Sequence, residues 1–325
     1  MPARERGKYL FPWRDGNRFE LLVDGRQFFP RMLESIEKAH RYVLLEIYLF
    51  ESGAVATRFI DAFVRAASHG VKVKLLLDDF GALGLSPQDR ERLIQGGVEL
   101  LLYNPIHLSK HLRNMFRDHR KLLIVDGEVA FVSGAGITDE FDFPEDPEQS
   151  WRETAACIRG PVLADWQELF VHLWNRHAPN PLELPVPAPP AEADDMRGRV
   201  TVTTALARQD IKRSLYNRVR HAQRRVWLAT AYFVPSRKVR ARSSRQPGVV
   251  RTCGCCCPAR TPITRRSATP DGASTPVCCG PIYAFSNTSR VFCTPKQFSV
   301  TTGFPSAQAT STAGICAGTL KPIRK

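Results

Sequence analysis

YVLLEIYLFESGAVATRFIDAFVRAASHGVKVKLLL, residues 42–77, reads as strand, helix, strand. Tyr42 to Phe50 is an apolar run of strand length, Ala54 to Ser68 has apolar residues at helical spacing and is stopped by Gly70, and Val71 to Leu77 returns as a strand. The rhythm continues on both sides. Upstream, Phe19 to Val23 reads as a strand and Gln27 to His40 as a helix. Downstream, Ser86-Pro87-Gln88-Asp89 opens a helix with a capping serine, a proline in the first turn and an acid three residues on, and Gly96-Gly97 closes it before a strand over Val98 to Tyr103. Strands over Arg120 to Val125 and Val129 to Ser133 flank a turn at Asp126-Gly127, Trp151 to Ile158 is another strand, and Val162 to His177 is an amphipathic helix. Strand–helix–strand alternation predicts an α/β fold with a mixed or parallel sheet covered by helices.

Residues 178–195, APNPLELPVPAPPAEADD, carry proline at the density of a stiff extended linker, and a domain boundary is expected there. Beyond it the beginning repeats: AHRYVLLEIYLF at 39–50 aligns without gaps with AQRRVWLATAYF at 222–233, each a helix end followed by a buried strand with aromatics. Four segments are expected: 1–177 as a complete first half, 178–198 as linker, 199–238 as the start of a second copy, and 239–325 as a tail.

The tail differs in kind. It holds 12 of the 46 basic residues, one acid (Asp271), eight of the nine cysteines, one leucine (Leu320) and no tryptophan, so +11 of the formal +14 charge belongs to it. Such a composition cannot bury enough apolar area to offset ordering entropy, and the tail is expected to be disordered. A shifted reading frame accounts for it. Taking the third base of each codon with the first two of the next, Cys293 to Thr301 permits His-x-Lys-x4-Asp, Ser306 to Thr310 permits Gly-Ser-Ser-Asn, and Arg251 to Pro258 permits Asp-Val-Arg-Leu-Leu-Leu-Pro. Cys253-Gly254-Cys255-Cys256-Cys257 lacks the separated pairs that structural zinc needs, and neither a metal nor a cofactor is expected.

Without the tail the charge is a mild +3, which gives no reason to expect a specific nucleic-acid partner. Only Cys157 lies in the body, as suits a disulfide-free protein facing the cytosol. No run reaches the roughly 18 apolar residues of a membrane span, so membrane contact is expected to be peripheral. Leu100 to Arg117, which mixes Leu, Ile, Met and Phe with Lys, Arg and His, is the candidate for seating on an anionic surface or for forming the rim of a site.

Chemistry concentrates at His119-Arg120-Lys121, just before the apolar run Leu122 to Val125 and Asp126. Positions i and i+2 of a strand face the same way, so His119 and Lys121 share one pocket and Arg120 faces the other side. An imidazole beside an ammonium suits attack on a phosphodiester, the ring nitrogen reaching phosphorus while the cation holds the non-bridging oxygens. Asp126 lies about 16 Å along the strand from Lys121 at about 3.3 Å per residue and has the opposite parity, which makes it a turn anchor by geometry. A nucleophilic histidine needs an acid on its second nitrogen, and Glu153 in Trp151-Arg152-Glu153 is the candidate.

The pattern His119-x-Lys121-x4-Asp126, with Leu45-Glu46-Ile47-Tyr48 and Leu76-Leu77-Asp78-Asp79 upstream and Trp151-Arg152-Glu153 downstream, resembles the phospholipase D superfamily over residues 8–238. Within it the short bacterial cardiolipin synthases are the nearest resemblance. It implies a phospholipase D-like mixed sheet flanked by helices, present as one complete half plus the start of a second copy. It also implies metal-independent transfer through a phosphatidyl-histidine, with two such motifs meeting at one site. His119, Lys121, Asp126 and Glu153 would be the catalytic residues, and Glu46, Tyr48, Asp78, Ser133 and Gly134 the substrate-binding ones. The implied substrate is phosphatidylglycerol or a similar phospholipid, at the cytoplasmic face of the bacterial inner membrane. Two departures stand out: Ser133-Gly134-Ala135-Gly136 lacks the asparagine usual after the motif, and the second motif is missing from the translated chain. The alternatives are a one-motif phosphodiesterase or nuclease that dimerises, and a catalytically inactive fragment.

Overall fold

The computed structural model describes residues 10–107, 114, 116–143, 149–188, 194–204, 208–221, 298–301 and 310–317. In chain order the elements are β1 (Arg14–Val23), α1 (Gly25–Glu37), β2 (Tyr42–Ile47), α2 (Ala54–Ser68), β3 (Lys72–Asp78), α3 (Pro87–Gln95), β4 (Glu99–Tyr103), β5 (Arg117–Asp118), β6 (Lys121–Val125), β7 (Val129–Val132), β8 (Thr154–Arg159), α4 (Leu163–His177), β9 (Met196–Thr204), β10 (Arg208–Gln209), α5 (Asp210–His221), β11 (Phe298–Thr301) and β12 (Thr310–Ala317). One mixed sheet runs β11-β12-β9-β1-β8-β7-β6-β2-β3-β4. Strands β2, β3 and β4 are parallel, joined by α2 and α3, whereas β6 runs antiparallel to β2.

Alternate residues of the central strands feed two cores. Val43, Leu45, Leu75, Leu77, Leu123 and Val125 pack under α1 and α2 with Phe28, Phe29, Phe59 and Phe63. Leu44, Leu76, Leu122 and Ile124 point the other way, onto Trp166, Phe170 and Trp174 of α4. A sheet covered on both faces needs strands apolar on both sides, which is why 42–45 and 122–125 show no alternation. Ser86 caps α3 as expected, its hydroxyl accepting from Asp89 N at 3.1 Å.

The antiparallel pairing of β6 on β2 decides where the site forms. It sets Lys121 opposite Ile47, at the edge where β2, β3 and β4 all end. The β6–β7 hairpin closes through Asp126 and Gly127, both at positive φ (53° and 69°), with Glu128 N donating to Val125 O at 3.0 Å. Two successive left-handed residues define the mirror-image turn that an Asp-Gly pair favours. The Asp126 carboxylate also accepts the backbone N–H groups of His40, Arg41 and Tyr42, each at 2.8 Å, so the hairpin is clamped to the start of β2.

Three expectations change. The proline-rich stretch packs back along α4: Asn175 exchanges two hydrogen bonds with the Leu182 backbone, Gln167 Nε2 donates to Pro185 O at 2.8 Å, and Leu182 is only 5% exposed. Leucines spaced between prolines find the α4 face, and prolines have little entropy to lose in doing so. Second, the sheet crosses the expected boundary, because β9 pairs antiparallel with β1 in the register Arg14↔Gly198 and Asn17↔Met196. Asn17, wholly buried, ties the junction by donating to Arg14 O and Met196 O while accepting Val162 N. The described residues from 10 to 217, together with β11 and β12, belong to one compact unit. Third, two segments of the expected disordered tail are strands, β12 pairing with β9 and β11 with β12. Backbone pairing requires an open edge and an extended segment, and demands little of side-chain composition. The second copy's 222–233 lies outside the described residues, as does most of 108–115 within the expected membrane-seating segment.

Replacing Asp126→Ala strands three backbone donors at a site only 5% exposed. The expected loss of stability is about 3 kcal/mol, read as a lowered urea midpoint; an unchanged midpoint would show that water replaces the clamp.

Candidate active site

His119 lies in the short link between β5 and β6, and Lys121 is the first residue of β6. The Lys121 ammonium stands 3.0 Å from His119 Nδ1 and 3.1 Å from the His119 carbonyl oxygen. The Tyr48 ring, just past β2, covers both: its centroid is 4.5 Å from that of His119 and 5.0 Å from Lys121 Nζ. An ammonium only donates, so with Lys121 charged the lone pair resides on Nδ1 and the ring proton on Nε2.

Ser133 and Gly134 complete one wall. Ser133 follows β7 directly and its N–H donates to Lys121 O at 3.3 Å. Gly134 leaves the room that Glu153 occupies: a Cβ added there would meet Glu153 Oε2 at 2.2 Å. Glu153, just before β8, accepts Thr154 N at 2.8 Å and is electrostatically coupled to Lys121. The acid expected to serve His119 therefore stands within the field of Lys121.

Burial dominates the titration of the pair. It pushes the Lys121 ammonium down to about 7, against the pull of Asp118, then Glu153 and Asp78. Burial, and after it the Lys121 charge, push the His119 imidazole down to about 4, with Asp118 opposing. Burial raises the Glu153 carboxyl, opposed by the Thr154 N–H and Lys121. A neutral imidazole beside a cation that is half protonated near neutral pH is a nucleophile paired with an anion holder.

Two expected site residues have other places. Glu46 is 0% exposed, on the α4 face of the sheet, where it meets Arg120 Nη2 at 2.8 Å. Strand parity puts it on the face opposite Lys121, so a substrate held by Lys121 does not reach it. Asp126 sits at the far end of β6 with its carboxylate taken up by the 40–42 backbone, which makes it a clamp of the fold. Asp78 is at the correct edge but wholly buried: its carboxylate accepts Asp118 N at 2.8 Å and Phe80 N at 3.1 Å and pairs with Arg117 at 3.4 Å. It supports the backbone that carries His119, and burial pushes its carboxyl up to about 6. Arg117 and Asp118 are not singled out by the sequence reading, which gives Arg120 a face and no partner, although the run Arg117-Asp118-His119-Arg120-Lys121 ahead of an apolar strand is the available signal. Among the described residues no group of three or more His, Cys, Asp or Glu side chains could hold a metal ion.

Residues 32–174 match the family described as cardiolipin synthase, PLD-like domain. Cardiolipin synthase A of Pseudomonas aeruginosa is 31% identical over 234 residues, covering 71% of this chain and 47% of that protein. Cardiolipin synthase B of Salmonella typhimurium is 32% identical over 235 residues, covering 69% of this chain and 55% of that one. The chain thus spans about half the length of the relatives it matches. The crystal structure of phosphatidylserine synthase from Haemophilus influenzae shares the fold, with a TM-score of 0.54 at 14% identity over 69% of this chain and 58% of that one.

A histidine held at about 4 in the fold, against about 6.5 when unfolded, leaves the unfolded chain with more bound protons between those values. Stability should rise with pH across that window and be lost in acid. His119→Gln should flatten that part of the profile, measured by urea unfolding at a series of pH values; an equally steep profile would assign the dependence to other groups.

Proposed function

We propose that the chain, whose residues 32–174 match the family of cardiolipin synthase PLD-like domains, is built as a phosphatidyltransferase of cardiolipin synthase type, working through a phosphohistidine on His119. The observation that carries the reading is the Lys121 ammonium 3.0 Å from His119 Nδ1 under the Tyr48 ring.

In this reading the phosphodiester of phosphatidylglycerol, or of a similar donor, enters with its non-bridging oxygens toward Lys121. The phosphate then competes with His119 for the ammonium and frees the imidazole lone pair. A nitrogen–phosphorus bond forms as the phosphorus–oxygen bond to the leaving alcohol breaks, and the departing alkoxide takes up a proton. The acceptor alcohol, giving up its proton, next attacks phosphorus and releases the histidine. Glu153, in the field of Lys121, balances the positive charge of the pair as the imidazole becomes cationic. The acid and base for the two alcohols would come from the second motif, which this chain lacks, so the chain as given is impaired. The place proposed for it is peripheral, at the cytoplasmic face of the bacterial inner membrane. No helix among the described residues is long and apolar enough to cross a membrane. Phe80, Leu83 and Ile106, exposed on loops at the same sheet edge as the site, offer an apolar rim toward lipid.

A single His-x-Lys-x4-Asp per chain also fits a dimeric phosphodiesterase or nuclease, in which a second copy supplies the missing half. Conversion of phosphatidylglycerol in mixed vesicles separates the two readings. The chain as given should transfer roughly 10²- to 10⁴-fold more slowly than a version with one frame correction near Lys238, since general acid–base help is lost. His119→Ala should abolish the activity of the corrected version. Equal rates for the two versions would replace this reading with the one-motif dimer, and inactivity of both would leave an inert fragment.

A further inference from the structure

A polar cleft opens toward the sheet edge opposite the catalytic pair, on the face that α1 covers. Its floor is the antiparallel pair β1–β8, in which Arg18 stands directly across from Arg159 and Glu20 from Cys157. Alternate residues of a strand share a face, so Arg18 and Arg159 continue the line of Glu20 and Cys157, and of Leu22 and Ala155 in the core under α1. The wall is the C-terminal half of α1 with its cap residue. There Arg31, Glu34 and Lys38 form a polar stripe at i, i+3 and i+7, beside the buried stripe of Phe28, Met32 and Ile36. The space measures about 370 Å³ and continues, past Arg31, Cys157 and Arg159, into a second of about 150 Å³ bounded by Arg18 and Glu20. That is the scale of a small-molecule site.

Four cations (Arg18, Arg31, Lys38 and Arg159) and two acids (Glu20 and Glu34) line this space, a net of +2. Both acids are already engaged. Glu20 accepts Arg31 Nη1 at 3.2 Å and Nη2 at 3.1 Å, and Glu34 accepts Lys38 Nζ at 2.6 Å. The two arginines of the floor are left over. Arg18 reaches only Asp194, at 3.9 Å with both side chains exposed, and Arg159 has no side-chain hydrogen bond or ion pair among the described residues. Like charges directly opposite each other on an antiparallel pair destabilise it, and an anion between them removes the penalty. Guanidinium forks match the oxygens of a phosphate two at a time, which an ammonium or a carboxylate-paired arginine does not. The cleft is separate from the reaction: Glu153, just before β8, and Arg159 at its end are six residues apart, about 20 Å at about 3.3 Å per residue.

We propose that the cleft between α1 and the β1–β8 pair is a second phosphate-binding site, in which Arg159 and Arg18 hold one phosphate group and Lys38 stands at its rim. The group belongs either to a soluble phosphate compound or to a phospholipid headgroup, two sources that experiment separates. Titration calorimetry of the full chain with inorganic phosphate reads the site. Binding should persist in Lys121→Met, which removes any phosphate held at the catalytic pair. In that background Arg159→Gln should weaken binding about tenfold or more, the usual effect of losing charge-assisted hydrogen bonds, and Arg18→Gln should act in the same direction. Arg26→Gln, which removes an equal charge from the exposed start of α1, should leave the affinity unchanged. An affinity unmoved by Arg159→Gln, or lowered equally by Arg26→Gln, would overturn the proposal in favour of diffuse attraction to a basic chain. Should Lys121→Met not fold, Arg159→Gln in the otherwise unaltered chain decides alone, by the loss of one component of phosphate binding. Sedimentation with phosphatidylglycerol vesicles then identifies the source. Retention that falls in Arg159→Gln but not in Arg26→Gln assigns the site to a headgroup, whereas equal retention of all three chains assigns it to a soluble compound.

Discussion

Five consecutive ionisable residues, 117–121, enter the protein interior at one end of the sheet, and the surrounding structure is organised around their neutralisation. A buried charge is tolerated only when paired and hydrogen-bonded. Arg117 meets Asp78, Arg120 meets Asp118 and Glu46, and the Lys121 ammonium rests against the nitrogen and carbonyl oxygen of His119 within the field of Glu153. Each partner comes from a different strand or loop, so the cluster forms only when β2, β3, β6 and β8 are all in register. The same low dielectric that makes the cluster costly makes its central cation responsive, and the Lys121 ammonium, pushed down to about 7, sits where small electrostatic changes alter its charge.

The architecture meets this demand by a change of strand direction. Parallel β2, β3 and β4 end at one edge of the sheet, and antiparallel β6 begins there, bringing His119 and Lys121 next to Asp78 and Tyr48. At the other end of β6 the Asp126–Gly127 turn is locked to the start of β2 through three backbone N–H groups. The spacing of the motif thus has a mechanical meaning: its histidine and lysine stand at one end of a five-residue strand, and its aspartate holds the register of that strand from the other. Gly134 belongs to the same mechanism, since its missing side chain is the space in which Glu153 approaches Lys121.

Much of the fold was legible because its signals are local. The helix at 54–68, the capped helix opening at Ser86, the Asp126-Gly127 turn and the pairing of His119 with Lys121 on one face all follow from periodicity, turn chemistry and strand parity within a few residues. The proline-rich segment was misread because proline reports backbone stiffness and says nothing of whether a stiff segment lies in solvent or along a helix; Leu182 against α4 settled that. The expected boundary between linker and second copy, at 198/199, falls inside the strand Met196–Thr204, which pairs with β1, because composition marks a boundary without naming the partner of the chain that follows.

From the sequence alone come the α/β class, the strand carrying the motif, and the shared face of His119 and Lys121, all consequences of the period of two along an extended chain. The environment of each charged group came only from the folded chain. Glu46 reads like any acid in an apolar strand, but its depth and its partner Arg120 depend on which strands become neighbours. The difference between Glu46 and Glu153, one sealed behind the sheet and the other beside the Lys121 cation, depends on which sheet face and which edge each comes to occupy. Burial and field are properties of residues brought together from far apart in the chain, so only tertiary structure decides them.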